Sequence, residues 1–240
     1  VAALGSDWEP LHGPSPENRE YFGRNTIIFW QNETGDIFRL AQSVKHLNHA
    51  AQNWQRGRPF WKRKGLLLSQ MGGFTIYTGE IFDGSCLAIV PNDESVLPAM
   101  CAYALSGALK ETISTYEDVF RIASPKAVLS APFDLLHWQK IATEKYPDGL
   151  PKPHSDDPTQ WLFNGHPKGS EQPLHVAVAR LLGYRWPRQT GSSFPDCPAL
   201  EADGLEQFLD DDGIVCLTPV RGEENAAKRL RALLQAALGT

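Results

Sequence analysis

Three short runs constrain this chain most: "GLLLSQ" (65–70), "FTIYTG" (74–79) and "SCLAIVP" (85–91). Each is rich in leucine, β-branched or aromatic residues, each is of strand length, and glycines lie between them. Such a pattern predicts a meander or partly closed sheet as the heart of a domain. Upstream, "NTIIFW" (25–30) reads as a buried strand closed by the turn-prone "NETGD". Ile37, Leu40, Ala41, Val44, Leu47, Ala51 and Trp54 then recur at spacings of three and four, predicting a helix from about Asp36 to Gln55. Gly57 and Pro59 end it.

After the sheet, residues 95–113 predict a helix with Ser95 as its cap, "DVFRI" and "AVLSA" two more strands, and "FDLLHWQKIATEKY" a helix with Leu135, Trp138 and Ile141 on one side. The composition then changes. "PDGLPKPHSDDPTQWLFNGHPKGSEQP" is rich in Pro, Gly, Asp and His and cannot sustain a helix. Beyond it come a short amphipathic helix through Leu174, Val178, Leu181 and Leu182, a weaker one in "PALEADGLEQFL", a strand candidate "GIVCLTP", and a terminal helix carrying Leu230, Leu233, Leu234, Ala237 and Leu238. The expected organisation is a Pro- and Gly-rich linker (1–20), a β-rich domain with flanking helices (21–147), a connector (148–172) and a helical C-terminal extension (173–240). The expected fold class is mixed α+β.

Bulk properties narrow the function. At 240 residues with 42% apolar and 21% charged content, the chain can bury a substantial core. A formal net charge of −5 argues against coating nucleic acid by charge alone. Cys86, Cys101, Cys197 and Cys216 are widely spaced without a C-x-x-C pair, which suggests reduced thiols rather than a disulfide framework or zinc finger. No apolar run approaches the roughly 18 residues of a membrane span, and "VAALGSDWEP" lacks a signal-peptide layout, so a cytoplasmic location and no membrane partner are expected. Val1 in place of Met fits a processed terminus or a piece of a longer chain.

Against that acidic background "NWQRGRPFWKRKGLLLSQMG" (53–72) concentrates Arg56, Arg58, Lys62, Arg63 and Lys64 among Trp54, Phe60 and Trp61. Cations supply sequence-independent affinity for phosphate, and the aromatic rings can stack on bases or support the loop. A solvated charge run is the ordinary alternative. Position favours binding, because the run lies on a loop between a long helix and the sheet. Ser69 and Gln70 add polar groups beside glycines that permit close backbone approach.

Catalytic machinery is not visible. His46 and His49 share a helical face with no third ligand nearby, and His154, Asp156 and Asp157 read as turn and cap residues of a Pro-rich loop. "FDGS" (82–85) and "PKAVLS" (125–130) lack the spacing of a nuclease site, and no Walker, Rossmann or G-x-S-x-G pattern is present. No catalytic or metal-ligating residue is assigned.

The blocks "WKRKGLLLSQMGGFTIYTGEIFDGSCLAIVPND", "PFDLLHWQKIATEKYPDGLPKPHSDDPTQWLFNGHP", "LHVAVARLLGYRWP" and "DGIVCLTPVRGE" resemble the C-terminal part of large bacterial adenine-specific DNA methylases. These are restriction-modification-like enzymes, including the methylase of the DISARM phage-defence system and, more distantly, that of BREX. The resemblance spans roughly residues 20–238. It implies a target-recognition domain with a helical extension, whose Asn-Pro-Pro-aromatic motif and S-adenosylmethionine loop lie elsewhere, so no cofactor is expected on this chain itself. Implied partners are double-stranded DNA, the methyltransferase catalytic domain and other defence-system subunits. The basic run would grip phosphate, while Arg24, Asn25 and Gln70 are candidates for base edges, since guanidinium and amide groups pair bidentately with G and A. Two other functions compete: a protein-interaction module that docks a partner subunit, and a metal-dependent nuclease.

Overall fold

The computed structural model describes residues 7–115, 125–191, 198–220 and 222–239. They form a mixed α+β chain of two compact units that divide between Pro153 and His154.

The first unit opens with β1 (Trp8–His12) and β2 (Thr26–Phe29), antiparallel partners in which Trp8 faces Phe29 with ring centroids 4.9 Å apart. Helix α1 (Asp36–Ser43) follows, then β3 (Gly65–Ser69), β4 (Phe74–Tyr77), β5 (Ile81–Phe82) and β6 (Cys86–Ile89). β5 runs parallel to β1 to complete a sheet of order β2-β1-β5, while β4-β3-β6 form an antiparallel sheet. The three constraining runs are therefore one meander-like sheet. Alternation along β3 divides its side chains: Leu66 and Leu68 join the main core, and Leu67 meets Tyr77, Phe82 and Cys86 on the opposite face. Helices α2 (Leu97–Leu105), α3 (Ala108–Ser114), α4 (Pro125–Ser130) and α5 (Leu135–Lys145) cover the Leu66 side. Small residues on α2, namely Ala99, Cys101, Ala102 and Ala104, leave room for α5, whose Trp138 stacks 4.9 Å from Tyr103.

In the second unit α6 (Pro173–Leu181) packs on α8 (Ala226–Leu238) through Ala177, Leu181 and Leu233, with the short α7 (Pro187–Thr190) between them in sequence. A second cluster holds Phe163, Val176 and Trp186, whose indole donates to the Pro158 carbonyl at 2.8 Å.

Several expectations change. Residues 1–6 of the expected linker lie outside the described residues, but 8–12 are a strand, and the backbone of Arg19 and Glu20 bonds to that of β4 at 3.0 and 2.9 Å. The expected connector buries Trp161, Leu162 and Phe163 in the second unit. β2 is half-buried rather than buried, with Ile27 and Phe29 facing out. Helix α1 stops at Ser43, and only a 3-10 helix (Ala50–Gln55) follows, capped by His49, whose Nδ1 accepts from Ala51 N. Asp93, not Ser95, provides the cap before α2, and Gly107, at φ +95°, separates α2 from α3. "AVLSA" is α4, because Pro125 suits a first helical position, whereas "DVFRI" lies outside the described residues. "GIVCLTP" forms no strand, and "PALEADGLEQFL" yields only a 3-10 helix (Glu206–Phe208).

A buried polar cluster joins the two sheets of the first unit. Arg24 is 0% exposed and donates to Glu80 at 2.9 Å, to the Ile76 carbonyl at 2.7 Å and to the Phe22 carbonyl at 3.2 Å. Glu80 also accepts from Thr78 Oγ1 at 2.6 Å and Thr78 N at 3.1 Å, and His12 stands 3.8 Å away. Burial opposes the Glu80 charge, but Arg24, His12 and Thr78 together hold its carboxyl well below the ordinary range. Burial and then the Arg24 charge push His12 downward, against the opposing pull of Glu80, so folding disfavours the imidazolium.

Below pH 6.5, the ordinary histidine value, the unfolded chain takes a proton that folded His12 resists. This contribution is present above that pH and is lost as pH falls toward the depressed folded value, by at most about 1.4 kcal/mol per pH unit. Urea unfolding at pH 7 and pH 5 should therefore show stability falling more steeply in the native chain than in His12→Leu. Parallel slopes would exclude His12 as the source.

Candidate nucleic-acid interface

The basic run is a pinned segment rather than a loose loop. Gly57 adopts φ +73° with its α-carbon against the Phe82 ring, where an added Cβ would stand 1.9 Å from Cζ. A 3-10 helix (Arg58–Phe60) follows, then Lys62 at φ +63° donates its N–H to the Gly79 carbonyl at 2.8 Å. Trp61 packs edge-on to Trp30 at 5.6 Å and joins the hydrophobic clusters around Phe82 and Ile28. Of the two roles open to this ring, stacking on bases or supporting the loop, its packing fits the second.

The cations differ in what they face. Arg58 is bound through two hydrogen bonds to the Glu33 carboxylate and lies 5.4 Å over the Phe38 ring, so its charge is already matched. Lys62 acts electrostatically on Glu9, whose carboxyl is raised by burial and by Glu33 while Lys62 pulls it down. Arg56 donates to the Gly84 carbonyl at 2.6 Å and Arg63 to the Pro91 carbonyl at 3.0 Å. Those acceptors are neutral, so both guanidinium groups are oriented without being neutralised. Lys64 is exposed beside them in sequence.

Two other sequence candidates move inward. Arg24 is consumed by the buried Glu80 cluster and cannot reach a base edge. Ser69 is buried, and its hydroxyl accepts from Met71 N at 3.0 Å, shaping the tight turn to Gly73. Gln70 stays exposed, its backbone N–H bonded to the Ser85 carbonyl at 2.9 Å, and Asn25 is exposed just before β2.

Arg56 and Gln70 meet along a cleft of about 130 Å³, also lined by Ser69, Gly84, Ser85 and Leu87. Asn25 does not line it. Sequence reasoning missed Ser85, whose N–H and hydroxyl both bond to Asp83 Oδ1 at 2.8 and 2.5 Å and fix the turn that holds Arg56. "FDGS" carried that signal as an Asx turn. The candidate nuclease lysine, Lys126, lies on α4 rather than on a strand. No protein-family model, curated protein or solved structure matches this chain.

Gly57→Ala adds a side chain into the Phe82 ring at a left-handed backbone position. Equilibrium unfolding should register a loss of about 2–4 kcal/mol, and a loss below about 0.5 kcal/mol would mean that the segment is not pinned there.

Proposed function

We propose that the chain is the DNA-recognition part of an adenine-specific DNA methyltransferase of a restriction-modification or phage-defence system, holding duplex DNA for a catalytic domain that binds S-adenosylmethionine. The observation carrying this reading is the cleft that Arg56 and Gln70 both line. A guanidinium and a carboxamide are the groups that read G and A bidentately in the major groove. Arg63, with Lys62 and Lys64 beside it, supplies cations for phosphate, and the pinning of the segment lowers the ordering cost of binding. The resemblance of the sequence blocks to the C-terminal part of such methylases supports the same reading. A methylase must take its target adenine out of the stack, so a separate module that keeps the duplex in register has a clear physical role.

A second reading, a surface that docks a partner subunit, draws on the corner between α4 and α5, where Leu129 and Leu136 are 86% and 80% exposed. DNA binding separates the two.

Fluorescence anisotropy of a labelled duplex against the purified chain, at several salt concentrations, tests the proposal. Affinity should fall as salt rises, and removing Arg56 and Arg63 together should weaken binding and reduce the log–log salt slope by about 0.9 for each phosphate no longer neutralised. Arg58→Ala should change affinity less than about twofold, because Glu33 already holds that charge. Gln70→Ala should alter preference among duplex sequences more than overall affinity. Absence of salt-dependent duplex binding, or equal effects of Arg58 and Arg63 substitutions, would overturn this assignment.

A further inference from the structure

Strand β2 ends one side of the β2-β1-β5 sheet, and its outer edge meets no other strand among the described residues. Its pairing with β1 fixes which backbone groups point that way. Trp30 N bonds to the Asp7 carbonyl at 2.8 Å, and the register sets Trp8 opposite Phe29, Glu9 opposite Ile28 and Pro10 opposite Ile27. Hydrogen-bonded pairs alternate along an antiparallel ladder, so the bonds belong to Asp7 with Trp30, Glu9 with Ile28 and Leu11 with Thr26. Pro10, which has no N–H, falls where the β1–β2 ladder needs none. The N–H and C=O groups of Ile27 and Phe29 therefore face outward, and among the described residues they have no partner.

The same unit covers a comparable edge elsewhere. Arg19 N donates to the Phe74 carbonyl at 3.0 Å and Ile76 N to the Glu20 carbonyl at 2.9 Å, so the chain itself closes the outer side of β4. β2 has no such cover, and it lacks the charges and prolines that commonly protect an open edge: residues 25–32, "NTIIFWQN", carry neither. Its outward face is apolar as well. Trp8, Ile27 and Phe29 are each 39% exposed and share one face of the sheet, opposite to Ile28, which is buried with Trp30 and Ile81.

An edge of this kind accepts a strand, and its neutrality selects which one. With no charge from Asn25 to Asn32, nothing attracts an acidic or basic peptide, whereas a second copy meets the edge without opposing like charges. Turned about a two-fold axis through Ile28, β2 of the second copy sets its Phe29 opposite Ile27 and its Ile27 opposite Phe29. Those are the positions whose N–H and C=O groups point outward, so each copy supplies the acceptors that the other's donors lack. Two aromatic–aliphatic pairs form on the exposed face in the same step. We propose that β2 pairs antiparallel with β2 of a second copy, joining two three-stranded sheets into one. With four strand residues a side, the contact falls well below the roughly 1,600 Å² of a standard stable interface, so the pairing is weak, with Kd on the order of 10⁻⁴ M.

Sedimentation velocity of the full chain between about 5 and about 500 µM should show monomer giving way to dimer. Over the same range, amide hydrogen exchange at Ile27 and Phe29 should slow about threefold, while that at Ile28, bonded within each copy, should not change. Ile27→Lys and Phe29→Glu each place a charge on the exposed face, and each alone should weaken the dimer at least about tenfold. Mixing the two variants sets the introduced ammonium opposite the introduced carboxylate and keeps one native pair of Ile27 with Phe29, so association should return. A chain that stays monomeric at about 500 µM, an Ile27→Lys variant that dimerises like the native chain, or a mixture that stays monomeric would each overturn the pairing. Should a variant fail to fold, exchange in the native chain decides alone, and rates at Ile27 and Phe29 that ignore concentration would overturn it.

Discussion

The buried pair of Arg24 and Glu80 holds the first unit in register. Arg24 lies between the strand pair β1–β2 and the sheet edge at Ile76, while Glu80 sits between β4 and β5, so one charge pair ties three chain segments together. Both groups lost water on folding, and each is tolerable only because the other is present: removing one partner of such a pair typically costs about 3–5 kcal/mol. The consequence reaches the surface. Glu80 follows Gly79, whose carbonyl receives the Lys62 N–H, so the geometry of the cationic segment rests on the interior pair.

That dependence explains which parts of the protein are legible in its sequence. The alternation in "GLLLSQ" and "FTIYTG" marks strands because every second residue must find a core, and the β4-β3-β6 sheet satisfies it. The terminal helix is equally plain from its spacing. Periodicity overstates the helix through Asp36–Gln55, because it shows which face would be buried, not whether a core waits for it; Leu40 and Leu47 are exposed. Arg24 resembles a surface base reader in sequence because its partner is 56 residues away, and no local pattern announces a distant carboxylate. For Ser69 and Trp61 likewise, polarity and aromaticity give a side chain's chemistry but not its direction: Ser69 is buried at the cleft, and Trp61 packs on Trp30.

Within the basic run, the sequence shows five equivalent-looking cations and the structure sorts them by partner. Arg58 faces a carboxylate, whereas Arg56 and Arg63 face carbonyl oxygens that orient a guanidinium without cancelling its charge. A count of cations therefore overstates the electrostatic footprint.

Glu33, which matches Arg58, ends a run of three consecutive L-residues at positive φ: Gln31 at 53°, Asn32 at 49° and Glu33 at 65°. Only asparagine is at ease there; the left-handed region costs other residues about 1–2 kcal/mol each. A glycine at position 33 would relieve that backbone cost and, in the same step, leave the Arg58 charge unmatched. The turn thus couples backbone strain to the exposed charge of the neighbouring cationic segment, so that a single change acts on both. The same residue sets both the backbone strain of this turn and how much of the Arg58 charge the surface shows.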